Sequence, residues 1–283
     1  MVSDRLAGDP SAGDEAVDLV AAELRELAER VCTAAGDPTQ AFGVYGFAGA
    51  TEASRLARHV EQSVFGETFG NGPELFAREY GPYEAASYFF CVVDHRRRLP
   101  AGMMRVLLPS PAGSKSLADL ERVWRRPPAE VLERSNLALT ADRTWDVATL
   151  AVERGYRRAA TNGLVSMALY QTLCGAAVRY DLGWIVTILD LVVLDMIQEI
   201  SHGCYEPFAG VEPMGYLDSP ASLPVYCDVA AQLPRLKAVD PATYELLVDG
   251  RGLEDAVTPP DWESMDADLG APSVTRSPGH VPS

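Results

Sequence analysis

At 283 residues, 47% hydrophobic and 23% charged, the chain holds apolar material for one large core or two modest ones, which excludes a fibre or a wholly disordered protein. Its 24 basic and 40 acidic residues give a net charge of −16, and so acidic a chain lacks the basic footprint that nucleic acid requires. The longest apolar run, Trp184 to Leu194, is interrupted by Asp190 and falls short of the roughly 20 residues of a membrane span.

Residues 1–13, rich in Gly, Ser, Asp and Pro, are predicted to be disordered, and they carry no basic start or apolar stretch of a secretory signal, so a cytoplasmic protein is expected. Over 14–35, Val17, Val20, Leu24, Leu27 and Val31 recur at steps of three and four, which predicts an amphipathic helix stopped by Gly36-Asp37-Pro38. Its apolar face needs cover, either from its own domain or from a second copy in a homodimer. Phe42 to Ala48 reads as a strand, and Thr51 as the N-cap of a helix through Phe65 with Leu56, Val60 and Val64 on one face. A short helix follows from Pro73 to Glu79.

Ala86 to Asp94 and Ala101 to Leu108 are aromatic and β-branched runs joined by a short polar turn, the pattern of an antiparallel hairpin. Residues 109–143 are polar, bear prolines and read as an insertion or lid. A strand (Thr144 to Val152), a long helix (about Ala159 to Tyr180), a strand (Trp184 to Leu189) and a helix (Asp190 to His202) come next, then short strands around Met214 to Leu217 and Leu223 to Val229. Residues 258–283, rich in proline and acids, are predicted to be a disordered tail outside the fold. One domain over 14–257 is therefore expected, of the α/β (α+β) class, with a mixed, mostly antiparallel sheet flanked by helices.

Charge is unevenly spread. Cys91 to Ala160 holds 13 basic and 8 acidic residues, net +5, against 11 and 32, net −21, in the rest. That span is either a solvated face or a docking surface for an anionic ligand. The five cysteines (Cys32, Cys91, Cys174, Cys204, Cys227) are odd in number and widely spaced, which fits reduced core thiols. No spacing of His, Cys or carboxylates fits a metal site, and His59, His95, His202 and His280 read as structural or solvated.

The order of elements resembles the fold of the Gcn5-related N-acyltransferases. Within that superfold, four stretches are similar to the acyl-homoserine-lactone synthases and N-acyl amino acid synthases. They are Arg58 to Phe65, the acidic Glu79-Tyr-Gly-Pro-Tyr83-Glu84, Gly102-Met-Met-Arg105-Val-Leu-Leu-Pro109, and Trp145-Asp146-Val-Ala-Thr149-Leu-Ala-Val152. The resemblance implies an N-acyltransferase that moves an acyl group from an acyl-carrier-protein or acyl-coenzyme A thioester to a small-molecule amine. No cofactor stays bound, because the thioester is a co-substrate.

It also implies residue roles. Asp146 stands where the family has a glutamate that helps deprotonate the amine, and burial raises a carboxylate towards that task. Arg105 would fix a carboxylate or phosphate or else make a structural ion pair, Glu84 stands where the family has its second aspartate, and Tyr205 would protonate a leaving thiolate or simply pack its ring. Thr149 replaces the family's arginine, which removes a cation and with it the inference of homoserine lactone as product. The family's phosphate-binding loop, Gln/Arg-x-x-Gly-x-Gly/Ala, falls on Arg158-x-x-Thr161-x-Gly163 with its first glycine missing. Arg154, Arg157, Arg158, Thr161 and Gly163 would hold donor phosphate, with Leu150 and Val152 along the donor strand. Phe89, Met103, Met104 and Trp145 would line an acyl pocket, although each also reads as plain core. A non-catalytic acyl-binding or regulatory module, and a thioesterase, stand as the competing readings.

Overall fold

The computed structural model describes residues 12–269. Among these residues no helix is long and apolar enough to cross a membrane. The elements follow the expected order with additions at both ends of the sheet. They are α1 (Ala12–Ala34), β1 (Phe42–Ala48), α2 (Ser54–Phe69), α3 (Pro73–Tyr80), β2 (Ser87–Asp94), β3 (Leu99–Leu107), α4 (Lys115–Arg122) and α5 (Pro128–Arg134). Then come β4 (Thr144–Val152), α6 (Arg158–Thr161), α7 (Leu164–Arg179), β5 (Trp184–Asp190), α8 (Leu191–Ser201), β6 (Glu206–Pro207), β7 (Met214–Tyr216) and β8 (Ser219–Asp228). The chain closes with α9 (Val229–Val239), α10 (Pro241–Tyr244), β9 (Val257–Thr258) and α11 (Trp262–Leu269).

One mixed sheet runs β6-β8-β5-β4-β3-β2-β1-β9, with β7 paired to β8. Only β4–β5 and β1–β9 are parallel, so the expected mostly antiparallel α/β architecture holds. The hairpin turn is tied by Asp94, whose Oδ1 accepts from the Arg96 and Arg97 amides at 2.9 and 3.0 Å. A bare Cα at Gly102 lets α7 approach β3, because a Cβ there would stand 2.6 Å from Val165.

The sheet buries both faces. Phe90, Met104, Val106 and Val147 pack with α7 on one side, and Phe89, Cys91, Met103 and Ala151 pack with α1 and α2 on the other. The C-terminal part of the α1 stripe finds cover here, since Leu24 and Leu27 are buried in that second layer with Ala28 and Cys32, whereas Val20 is exposed. Exposed ion pairs of Arg30 with Glu52 and Arg55 with Glu23 run beside it.

Three expectations are corrected. Thr51 does not cap α2, because its hydroxyl turns back to the Ala48 carbonyl at 2.8 Å while Ala53 takes the cap position without a side-chain bond. Residues 109–143 are not a lid. Leu120, Trp124 and Val131 enter the core, and the buried Lys115 ammonium donates to Asp119 and to the Tyr216 hydroxyl, at 2.5 and 2.6 Å, pinning α4 to β7. Residues 258–269 belong to the fold: Val257 and Thr258 pair with Phe42 and Gly43, and Met265 is buried. Trp262 lies edge-on to Phe90 and Tyr180, with ring centroids 6.4 and 6.3 Å away. A few large side chains secure a segment whose composition is otherwise that of a tail.

Met265→Ala is expected to lower the unfolding free energy by about 2–4 kcal/mol in a urea titration, as buried methionine truncations do. A change indistinguishable from zero would return this segment to the status of a loose extension.

Candidate active site

The site begins with a break in the sheet. β4 and β5 pair at only three positions, Thr144 with Trp184, Trp145 with Ile185 and Asp146 with Val186, and then part. At the parting, the Thr187 hydroxyl donates to the Val147 carbonyl at 2.7 Å, so a side chain replaces a lost ladder bond. Val106 pairs with Val147 and Arg105 with Thr149, which leaves Ala148 as a bulge. The bulge resets the alternation of β4. Asp146 and Thr149 both face α2 and α4, whereas Val147 and Val152 face α7.

A cavity of about 400 Å³ fills the gap and is lined from both faces of the sheet. Val64, Phe65, Phe69 and Tyr80 border it on the α2–α3 face, and Tyr170, Leu173, Cys174, Cys204 and Tyr205 border it on the α7–α8 face. The walls are mainly apolar, with Asp190 the one carboxylate and Arg157 the one guanidinium among the described lining residues. Such a lining suits a hydrocarbon chain with a polar group at each mouth.

The structure separates the residues expected to act here. Leu150, Arg157 and Tyr205 line the cavity. Arg157 sits at a mouth, its Nε donating to the Val152 carbonyl at 3.1 Å. Tyr205 is buried, its hydroxyl bonds to nothing among the described residues, and burial first, then the neighbouring thiols, push its pKa far up. A phenol so placed stays protonated.

Asp146 is not at the cavity. It is buried, its Oδ2 accepts from the Ser114 hydroxyl and the Ser116 amide, and its Oδ1 accepts from the Ser116 hydroxyl, each at 2.7 Å. Burial raises its pKa, as expected, and the bonds from Ser114 and Ser116 act against the rise. Its geometry is that of an anchor for the start of α4, and the expected role of base is corrected on that ground.

Arg105 is equally enclosed. Its guanidinium makes a two-pronged pair with Glu61 at 3.0 and 2.6 Å and lies over the rings of Tyr80 and Phe89, 4.3 and 4.6 Å from their centroids. The Thr149 hydroxyl completes the group by donating to Glu61 at 2.5 Å. Glu84 pairs with Arg58 beside this cluster. These motif residues hold α2 and the acidic turn against the sheet, and Arg105 and Glu84 do not border the cavity.

Phe89 and Met103 are fully buried on the α2 face, and Met104 and Trp145 are buried on the other, so all four are core and none lines the cavity. At the expected phosphate loop, Arg154 is exposed in a single turn, the Thr161 hydroxyl bonds to the Tyr156 carbonyl at 2.8 Å, and the side chain of Arg158 lies outside the described residues. Asn162 (φ 53°) and Gly163 (φ 78°) take left-handed conformations that break the long predicted helix into α6 and α7. Val152 is buried below this turn. His95, by contrast, is structural as expected, bridging the Gln40 carbonyl and the Tyr45 hydroxyl at 2.8 and 2.9 Å.

Sequence reasoning missed Asp190, Phe65, Phe69 and Leu173, and it took three cavity thiols for core. Cys204 is the most acidic of these, lowered by the neighbouring Cys227 thiol, whereas burial pushes Cys174 up to about 12. The signal for Asp190 was present, a lone acid inside an eleven-residue apolar run.

The scan against family models gives no match, and the search of curated proteins gives none. Solved structures do match. An N-acyl amino acid synthase from uncultured soil microbes, FeeM, aligns with a TM-score of 0.51 at 12% identity, over 71% of this chain and 98% of that one. A coenzyme A-dependent acyl-homoserine-lactone synthase, BjaI, bound to SAM and isopentyl-CoA, aligns with a TM-score of 0.50 at 14% identity, over 77% and 92%. The chain therefore shares the fold of these two structures, as the order of its elements and its four motifs led us to expect.

Glu61→Ala leaves Arg105 charged and unpaired in the core, and is expected to cost about 3–5 kcal/mol of stability. Asp146→Ala is expected to cost less, about 1–3 kcal/mol, by stranding the Ser116 amide. Parallel denaturant titrations rank the two. In native alkylation followed by peptide mass analysis, iodoacetamide is expected to modify Cys204 ahead of Cys174 and Cys91, both of which burial makes less acidic.

Proposed function

We propose that the chain is an N-acyltransferase that takes an acyl group from a coenzyme A or acyl-carrier-protein thioester and places it on the amine of a small molecule. The observation that carries this reading is the parting of β4 from β5 over an apolar cavity lined from both faces of the sheet. A thioester-bearing arm extended along the free edge of β4 supplies hydrogen-bond partners where β5 has left. Its acyl chain enters the apolar walls, at roughly 0.8 kcal/mol of burial per methylene.

The amine enters from the α2–α3 face and attacks the carbonyl carbon. The N–C bond forms, the C–S bond breaks, and the proton lost by nitrogen ends on sulfur. Backbone amides at the Ala148 bulge face the developing oxyanion, and Tyr205 relays to the leaving thiolate the proton that nitrogen loses, ending as the neutral phenol it began as. Holding the two reactants in contact supplies much of the acceleration, so no side-chain nucleophile is required.

Arg157, at the α7 mouth, serves the donor's phosphate. Arg97 lies 5.6 Å over the Tyr156 ring, which brings the cations of the β2–β3 hairpin beside the turn carrying Arg154 and Arg157. An acidic carrier protein is attracted to such a surface in a salt-dependent way. A second reading, a binding module without chemistry, draws support from Asp146, which is spent on α4.

Incubation with acyl-coenzyme A and acyl-carrier-protein thioesters and a panel of amines, read by product mass, tests the reading. Thioester consumption with an N-acyl product is expected. Leu173→Trp, which fills the cavity, is expected to raise KM for long acyl donors by about tenfold or more and to spare short ones. Binding of thioester with no turnover of any amine supports the binding module instead.

A further inference from the structure

The α2–α3 face of the cavity carries a charge pattern that selects the acceptor. Asp190 ends β5 four residues beyond Val186, the last residue of β5 paired to β4, and lines the cavity where the two strands have parted. The Asp190 carboxylate is braced from behind. Its Oδ1 accepts from the Val192 amide at 2.9 Å and its Oδ2 from the Ser219 hydroxyl at 2.7 Å, and no cation among the described residues pairs with it.

Every cation near this face is already spent. Arg105 is locked to Glu61, Arg58 to Glu84 and Lys115 to Asp119, and Thr149 puts a hydroxyl where a further arginine is absent. Arg157 also lines the cavity, with its Nε taken by the Val152 carbonyl. Four aromatic rings, Phe65, Phe69, Tyr80 and Tyr216, line this face beside Val64 and Thr68. An ammonium group thus meets a fixed anion and a flat apolar body meets rings, whereas a carboxylate meets no counter-charge and loses its hydration.

We propose that the acceptor is a primary arylalkylamine that lacks a carboxylate, held through its ammonium by Asp190, and that α-amino acids are rejected. The assignment rests on the acyl-transfer reading for its chemistry but on the Asp190 pocket alone for its binding.

The test uses the full chain with two probes that differ only by a carboxylate on the amine-bearing carbon, 2-phenylethylamine and phenylalanine, in calorimetric titration and, separately, with acyl-coenzyme A and product mass analysis. 2-Phenylethylamine is expected to bind about tenfold or more tightly than phenylalanine and to dominate the product. Asp190→Asn is expected to abolish that difference with an unchanged melting temperature, since asparagine caps a helix as well as aspartate does. The wild-type ratio stands as a test whatever the variant's stability. Equal or reversed affinities, or no binding of either probe, overturn the assignment. Amide product formed on phenylalanine overturns it too while leaving acyl transfer intact. Selective, Asp190-dependent binding of 2-phenylethylamine with no acyl product upholds the assignment and defeats the transferase reading.

Discussion

The architecture depends on an unfinished pairing between two parallel strands. Backbone N–H and C=O groups at a sheet interior must be paired, so strands that part leave a debt that something has to meet. Thr187 meets part of it by bonding the Val147 carbonyl, and the bulge at Ala148 turns the next residues of β4 so that the strand can continue beside β3 while leaving β5. The cavity follows from that geometry. Side chains that would fill a closed sheet instead rim an opening, and helices on both sides seal its flanks.

An opening through the middle of a sheet weakens the fold where it is most exposed to strain, and the charged residues of the motifs brace it. Glu61, Arg105 and Thr149 form one buried group that clamps α2 across β3 and β4. Asp146, with Ser114 and Ser116, clamps α4 to β4 at the last paired residue. Such groups are costly to bury unless every partner is present, and here the partners are present. Residues that look catalytic by type and spacing thus frame the opening, while the polar groups inside it are few.

The reading of the sequence was good where local chemistry decides local structure. The hairpin, the central strand Thr144–Val152 and the helix after β5 carry β-branched runs, turn residues and an N-cap aspartate, and they lie where those signals put them. It failed where one inserted residue changes the outcome. A bulge at Ala148 leaves no trace in a strand whose two faces are both largely buried, so the facing of Asp146 and Leu150 was illegible, and with it the cavity lining. Polar α4 and the acidic C-terminal segment hid their few anchors, Leu120, Trp124, Trp262 and Met265, in compositions typical of loops. The fold of the homoserine-lactone synthases was legible because four separated motifs fix the order of strands, a property insensitive to register.

The short parallel pairing of β9 with β1 has a kinetic consequence. Val257 follows Phe42 by most of the described chain, so this edge of β1 stays open until all the intervening elements have been made. Until then the nascent sheet presents an unpaired strand edge, the feature through which partly made chains stick to one another. Closure of this edge therefore waits for β9, a contact among the most distant in sequence that the described fold contains.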